Sequence, residues 1–198
     1  MKKIKPPRVK PDLLEPVKIE DIEKMLKQCL GTVFGMRDRA IILMLLDTGI
    51  RASELLSLDR SDIDPISGNI TIRHGKGGKS REAYMGRKTR ITVRKYMKFI
   101  PEEVEYLWLS REATRLSYGG LRSIMRRLSS RANVPTPSIH SFRRYFALEM
   151  LRSGVDVFSL QLLMGHADIQ VLRRYLKQTE KDTLDAHMKG RPVDKYDI

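Results

Sequence analysis

Asp62-Ile63-Asp64-Pro65-Ile66-Ser67-Gly68-Asn69-Ile70-Thr71-Ile72-Arg73 is the stretch on which the fold turns. It alternates apolar and polar residues and reverses at Ser67-Gly68-Asn69, which reads as two short strands joined by a tight turn. His74-Gly75-Lys76-Gly77-Gly78-Lys79 then makes a glycine-rich turn, and residues 81–85 supply a third strand. On either side the spacing is helical. Ile19, Ile22, Met25 and Leu26 share one face. Residues 38–48 form a nearly unbroken apolar run, the mark of a central buried helix, with Gly49 as its C-cap. A short amphipathic helix is expected over 52–58. Downstream of Gly86 the helical segments are 89–99, 118–132, 141–152, 156–164 and 168–176, with a tail helix at 182–189. The expected fold is therefore mainly α with a small three-stranded antiparallel β-sheet.

Charge narrows the choice of partner. The 198 residues hold 38 Lys+Arg against 24 Asp+Glu, a net charge of +14. Such an excess favours a polyanion, nucleic acid before an anionic membrane surface. With 41% hydrophobic residues the chain can bury a substantial core. Cys29 is the only cysteine, which excludes a disulfide framework and a cysteine-based zinc site. Its place among Ile22, Met25 and Leu26 reads as that of a small buried apolar residue. The basic N-terminus runs into Pro6 and Pro7 where a secretion signal needs an apolar stretch. The longest apolar run, 40–46, is too short for a bilayer. These features read as an intracellular protein with no membrane partner.

Three motifs carry candidate chemistry. In Ile139-His140-Ser141-Phe142-Arg143-Arg144-Tyr145-Phe146-Ala147, His140 and Arg143 sit at i and i+3 on one helical face. Together they can hold a phosphate, the arginine by a bidentate fork. In Leu163-Met164-Gly165-His166, Gly165 ends a helix and leaves His166 on a loop, and Tyr175 closes the next helix nine residues later. In Asp47-Thr48-Gly49-Ile50-Arg51-Ala52-Ser53-Glu54-Leu55, Glu54 lies one turn after Arg51 and can orient its guanidinium. Taken singly, each also reads as an ordinary surface helix, a capped helix end or an i,i+3 ion pair.

Taken in order, the set resembles the tyrosine recombinase (phage integrase) family. That family carries T-G-hydrophobic-R-x-x-E-L, a G-K-G turn in a β-hairpin, H-x-L-R-H-x-F-A, and L-G-H followed by a tyrosine. This chain matches each from Thr48 to Tyr175, and the similarity runs upstream to about Lys18. The resemblance implies the catalytic-domain fold of that family over 18–178. Residues 1–17 are then a basic, proline-rich linker or arm, and 179–198 a tail helix and extension. It implies Arg51 and Arg143 as phosphate-clamping arginines, Lys76 as the hairpin lysine, and His140 and His166 as active-site histidines. Glu54 would be the supporting acid and Tyr175 the nucleophile. Five positions depart from the family pattern. Phe142 and Arg144 replace a leucine and a second histidine, Val171-Leu172 stands for a threonine pair, and Met164 replaces a leucine.

The implied activity is site-specific DNA recombination through a 3′-phosphotyrosyl intermediate on double-stranded DNA. A type IB topoisomerase and a non-catalytic DNA-binding regulator are the rival readings. No cofactor is expected. Gly78-Lys79-Ser80 resembles the end of a P-loop, but Arg73 stands where the first glycine should be and the turn joins strand to strand. No metal is expected either, because HExxH is absent and the histidines do not cluster with carboxylates. On the helix from Tyr118, Leu121, Ile124, Met125 and Leu128 share the core face. Arg122, Arg126, Arg127 and Arg131 lie toward the outside as candidate DNA contacts. The family further implies a homo-oligomer on DNA, a tetramer in the synaptic complex, with the tail passed to a neighbouring subunit.

Overall fold

Helix α2 (Val33–Thr48) is the element around which the others are arranged. In this computed structural model, which describes residues 15–73 and 80–165, Ala40, Ile41, Ile42, Met44 and Leu45 are all buried along α2. A helix apolar on most of its circumference must be covered on several sides, and α2 packs against both α4 (Arg87–Met97) and α6 (Ile139–Arg152). It starts at Thr32, whose hydroxyl accepts the Gly35 N–H at 3.1 Å. It ends at Gly49, whose φ of 58° is the left-handed C-cap conformation that glycine adopts without strain. A Cβ there would also lie 2.3 Å from the Phe146 ring, so α6 approaches α2 through that hydrogen. Thr48 accompanies the turn, donating to the Met44 carbonyl and accepting from Ile50 N–H.

Helix α1 (Ile19–Lys27) buries Ile22 and Met25 and lies against α5 (Tyr118–Ala132). Helix α5 buries Leu121, Ile124, Met125 and Leu128, the face its spacing predicts. Val17, assigned to the arm by the sequence, belongs to the core, and its N–H bonds the Ser141 carbonyl at 3.3 Å. Helix α7 (Val157–Leu163) continues from α6 across a short turn, capped by the Asp156 carboxylate. Cys29 is half-buried rather than buried. Its thiol is pushed up to about 11, chiefly by burial and then by Asp38.

The sheet is smaller than expected. Among the described residues it has two antiparallel strands, β1 (Asn69–Ile72) and β2 (Arg81–Tyr84), with Ile72 opposite Arg81. The stretch expected to be the first strand reaches β1 only through an isolated bridge, Ile63 to Ile70. Asp64 is the reason. Its carboxylate accepts the Ile66 and Ser67 N–H groups and the Ser67 hydroxyl, so the chain turns before a ladder can form.

A segment with neither periodicity, 98–117, closes the core on one side. Leu107, Trp108, Leu109 and Leu116 are buried there. Trp108 stacks on Tyr96, with ring centroids 5.6 Å apart and planes 9° apart. The Tyr96 hydroxyl accepts the Leu109 N–H at 3.2 Å. Among the described residues no helix is long and apolar enough to cross a membrane.

Candidate functional site

Arg51 is set by the turn that ends α2. It is the N-cap of α3 (Ala52–Ser57), in extended conformation, and its own N–H donates to Glu54 Oε2 at 2.9 Å. This is the glutamate half of a capping box, and it fixes the carboxylate relative to the backbone. The Arg51 guanidinium then donates to Glu54 Oε1 at 2.5 Å and to the Gly165 carbonyl at 2.9 Å. Arg143, one turn into α6, donates to the Gly49 carbonyl and, at 2.5 Å, to the Met164 carbonyl.

A third arginine completes the arrangement, one the sequence reading passed over. Arg81, the first residue of β2, donates to Glu54 Oε2 at 2.8 Å and to the Leu163 carbonyl at 2.7 Å. Three arginines from three distant elements thus engage three successive carbonyls, Leu163, Met164 and Gly165, at the end of α7. A helix C-terminus leaves its last carbonyls without intrahelical partners and carries partial negative charge. Guanidiniums are the strongest donors available to it. The sequence held a signal for Arg81. In β2 it shares its face with Ala83 and Met85, both buried, so a cation sits on the inward side of a strand.

The electrostatics follow from burial. Glu54 has only 2% of its side chain exposed, against 10% for Arg81 and 24% for Arg51. Burial by itself would raise the Glu54 carboxyl. The Arg51 backbone N–H and the Arg81 and Arg51 guanidiniums outweigh it and hold the acid below its ordinary value. The carboxylate therefore stays charged, and of the two guanidiniums on it Arg51 is the more open to solvent. Gly165 leaves α7 at a φ of 65°, and a Cβ there would lie 2.6 Å from Arg81 Nε.

The remaining sequence-predicted residues divide into three groups. His140 lies in the first turn of α6 and is exposed, lining a concavity of about 350 Å³ with Arg122 and Arg126. Arg131 is exposed in the last turn of α5. Arg127 is a correction to the expected outward row. Its guanidinium pairs with Asp38, a buried carboxylate that Arg37 also holds at 2.7 Å. Withdrawing one partner from a buried carboxylate costs roughly 3–5 kcal/mol, so Arg127 is tied to Asp38 although 30% of its side chain stays exposed. Lys76, His166 and Tyr175 lie outside the described residues.

Comparison with known proteins gives the family. The sequence model of the phage integrase family matches residues 16–182. The tyrosine recombinase XerA of Thermococcus kodakarensis is 32% identical over 197 residues, covering 98% of this chain and 68% of the relative. The crystal structure of a XerA recombinase has the same fold, with a TM-score of 0.75 at 24% identity, over 96% of this chain and 68% of that one. The Tn1549 transposon integrase, solved in complex with circular intermediate DNA, gives a TM-score of 0.71 at 21% identity, over 85% of this chain and 63% of its own. The chain belongs to the phage integrase family, whose members are tyrosine recombinases.

Proposed function

We infer that this protein is a site-specific DNA recombinase that cuts and rejoins strands through a covalent 3′-phosphotyrosyl intermediate. One observation carries the reading. Arg51 and Arg143, drawn from separate helices, converge on the carbonyls of Met164 and Gly165, immediately before His166. Donors that satisfy two neighbouring carbonyl oxygens are spaced to engage the non-bridging oxygens of a phosphodiester.

Phosphodiester cleavage needs an in-line nucleophile, stabilisation of charge on the non-bridging oxygens, and a proton for the leaving oxygen. Tyr175 attacks phosphorus and displaces the 5′-oxygen, so the phosphoester bond is exchanged rather than lost and the strand can be rejoined. Arg51 and Arg143, with His166, neutralise the developing charge, with Glu54 holding Arg51 in place. Lys76 gives a proton to the departing 5′-oxygen, and His140 accepts the tyrosine proton. Arg122 and Arg126, which share a concavity with His140, and the exposed Arg131 hold the duplex. The Tn1549 integrase bound to DNA supports this partner by kinship of fold. Assembly into a cyclic tetramer, with residues 179–198 passed to a neighbour, is the arrangement the family suggests.

Genome-wide capture of covalent protein–DNA adducts identifies the site, and a nicked duplex bearing that site then tests the chemistry. The wild-type protein, in EDTA, is expected to become trapped on a 3′ end. Tyr175→Phe should abolish the adduct and leave DNA affinity unchanged. An adduct that survives in Tyr175→Phe, or that requires Mg²⁺, would reject the mechanism. Relaxation of supercoils without exchange between two sites would move the reading to a type IB topoisomerase.

A further inference from the structure

We propose that Arg81 is a positioning residue for the reaction: it neutralises Glu54, so that Arg51 keeps its positive charge for the scissile phosphate. The inference rests on the recombinase reading above and adds a residue to it.

The Glu54 carboxylate is almost wholly buried, and its two oxygens are divided between two cations. Oε1 takes Arg51 Nη1 at 2.5 Å, and Oε2 takes Arg81 Nη2 at 2.8 Å. A buried carboxylate with a single counterion draws the full charge of that partner. Were Arg51 alone, it would form a closed neutral pair with Glu54, poorly able to stabilise an incoming anion. Arg81 changes the balance. Arg51, Arg81, Arg143 and Glu54 together carry a formal surplus of two positive charges; without Arg81 the surplus is one.

Arg81 does this without reaching the substrate side. Its side chain is 10% exposed against 24% for Arg51. Its other Nη is occupied by the Leu163 carbonyl, and its buried Nε has no hydrogen-bond partner among the described residues. A guanidinium so placed shapes the field and holds Glu54 but cannot clamp a phosphate. It also heads β2, whose sequence follows Lys76, so the same side chain ties the β1–β2 pair to the segment preceding His166 in the chain.

A charge-balancing role differs from a merely structural tie in its response to a second substitution. In single-turnover cleavage of the nicked site duplex, R81Q should slow adduct formation by on the order of 10²-fold, the loss expected when a preorganised charge leaves such a site. DNA affinity should stay within about twofold, since Arg81 lies behind the surface. R81K, which keeps the charge and loses the fork, should fall between wild type and R81Q. Adding Glu54→Gln to R81Q removes the unbalanced negative charge and should restore most of the rate. A structural tie to Leu163 predicts no such rescue. R81Q cleaving at the wild-type rate, or the double variant cleaving more slowly than R81Q, would overturn the proposal. A readout without DNA separates this from the parent reading: the Glu54 carboxyl, titrated by carbon NMR, should rise in R81Q. Wild-type protein that forms no adduct would reject the recombinase reading. An unchanged Glu54 titration in R81Q would reject the charge-balancing role of Arg81.

Discussion

The Arg51 guanidinium donates at 2.9 Å to the carbonyl of Gly165, a residue 114 positions away in the chain. Residue 165 must be glycine for that carbonyl to be where it is. Its φ of 65° is left-handed, and a Cβ would collide with the Arg81 side chain. Gly165→Ala should therefore lose about 1–2 kcal/mol of stability from the backbone alone. Its cleavage rate should fall further than that loss explains, because Arg51 and Arg81 are displaced together. Thermal melts beside single-turnover cleavage measure the two effects; an alanine variant with unchanged rate would contradict the arrangement.

Arg143→Ala should cost about 2.7–4 kcal/mol of barrier, or 10²–10³ in rate, by comparison with removal of one oxyanion donor. The Gly49 and Met164 carbonyls lose a donor at the same time. Arg143→Lys should recover part of the stability and little of the rate, since an ammonium lacks the planar fork that matches two acceptors at once. Equal recovery of both would show that charge alone suffices.

Glu54 gives a pH dependence with a defined sign. Its carboxyl sits below its ordinary value of 4.5 in the folded protein. Its contribution to stability is thus complete above pH 4.5 and is lost as the pH falls through the lower folded-state value. Wild type should accordingly melt above Glu54→Gln at neutral pH, with the gap closing on acidification. A gap that widens in acid would reverse the assigned shift.

Lys76→Ala should slow cleavage of ordinary DNA far more than of DNA with a 5′-bridging sulfur, because a thiolate leaves without a proton donor. Comparable slowing on both substrates would transfer the acid role, to Lys79 or His74 first.

Truncation after Gln178 should spare Tyr175 chemistry on a single site while abolishing cooperative assembly on two-site DNA. Gel-shift and recombination assays measure these separately. Wild-type recombination by the truncated chain would remove any role for the tail in exchange between subunits.

Much of the fold is legible in the sequence where a period or a cap dominates. Helix α5 occupies the residues that its leucine and methionine spacing marks, and Gly49 ends α2 as its position after an apolar run suggests. Helix α2 starts earlier than its apolar run because Thr32 caps it and Gly35 interrupts the hydrophobic pattern. The 98–117 segment buries Trp108 without helical or strand periodicity, so its contribution to the core rests on tertiary contacts alone. The first of the three expected strands is lost to side-chain competition at Asp64. Within the site, Arg51, Glu54 and Arg143 are readable from their motifs. Arg81 needs its strand's inward face to be recognised, and Arg127 needs a buried acid on another helix to pair with it.

Trp108 also makes the molecule easy to observe. It is the only tryptophan in the chain, fully buried, stacked on Tyr96, and its indole N–H has no hydrogen-bond partner among the described residues. Its fluorescence therefore comes from one buried location outside the arginine cluster. Emission should be blue-shifted in the native protein and move red when the core opens. Any variant of the arginine cluster can thus be sorted by one optical reading: a cleavage defect with unshifted emission belongs to the chemistry, and one with red-shifted emission belongs to folding.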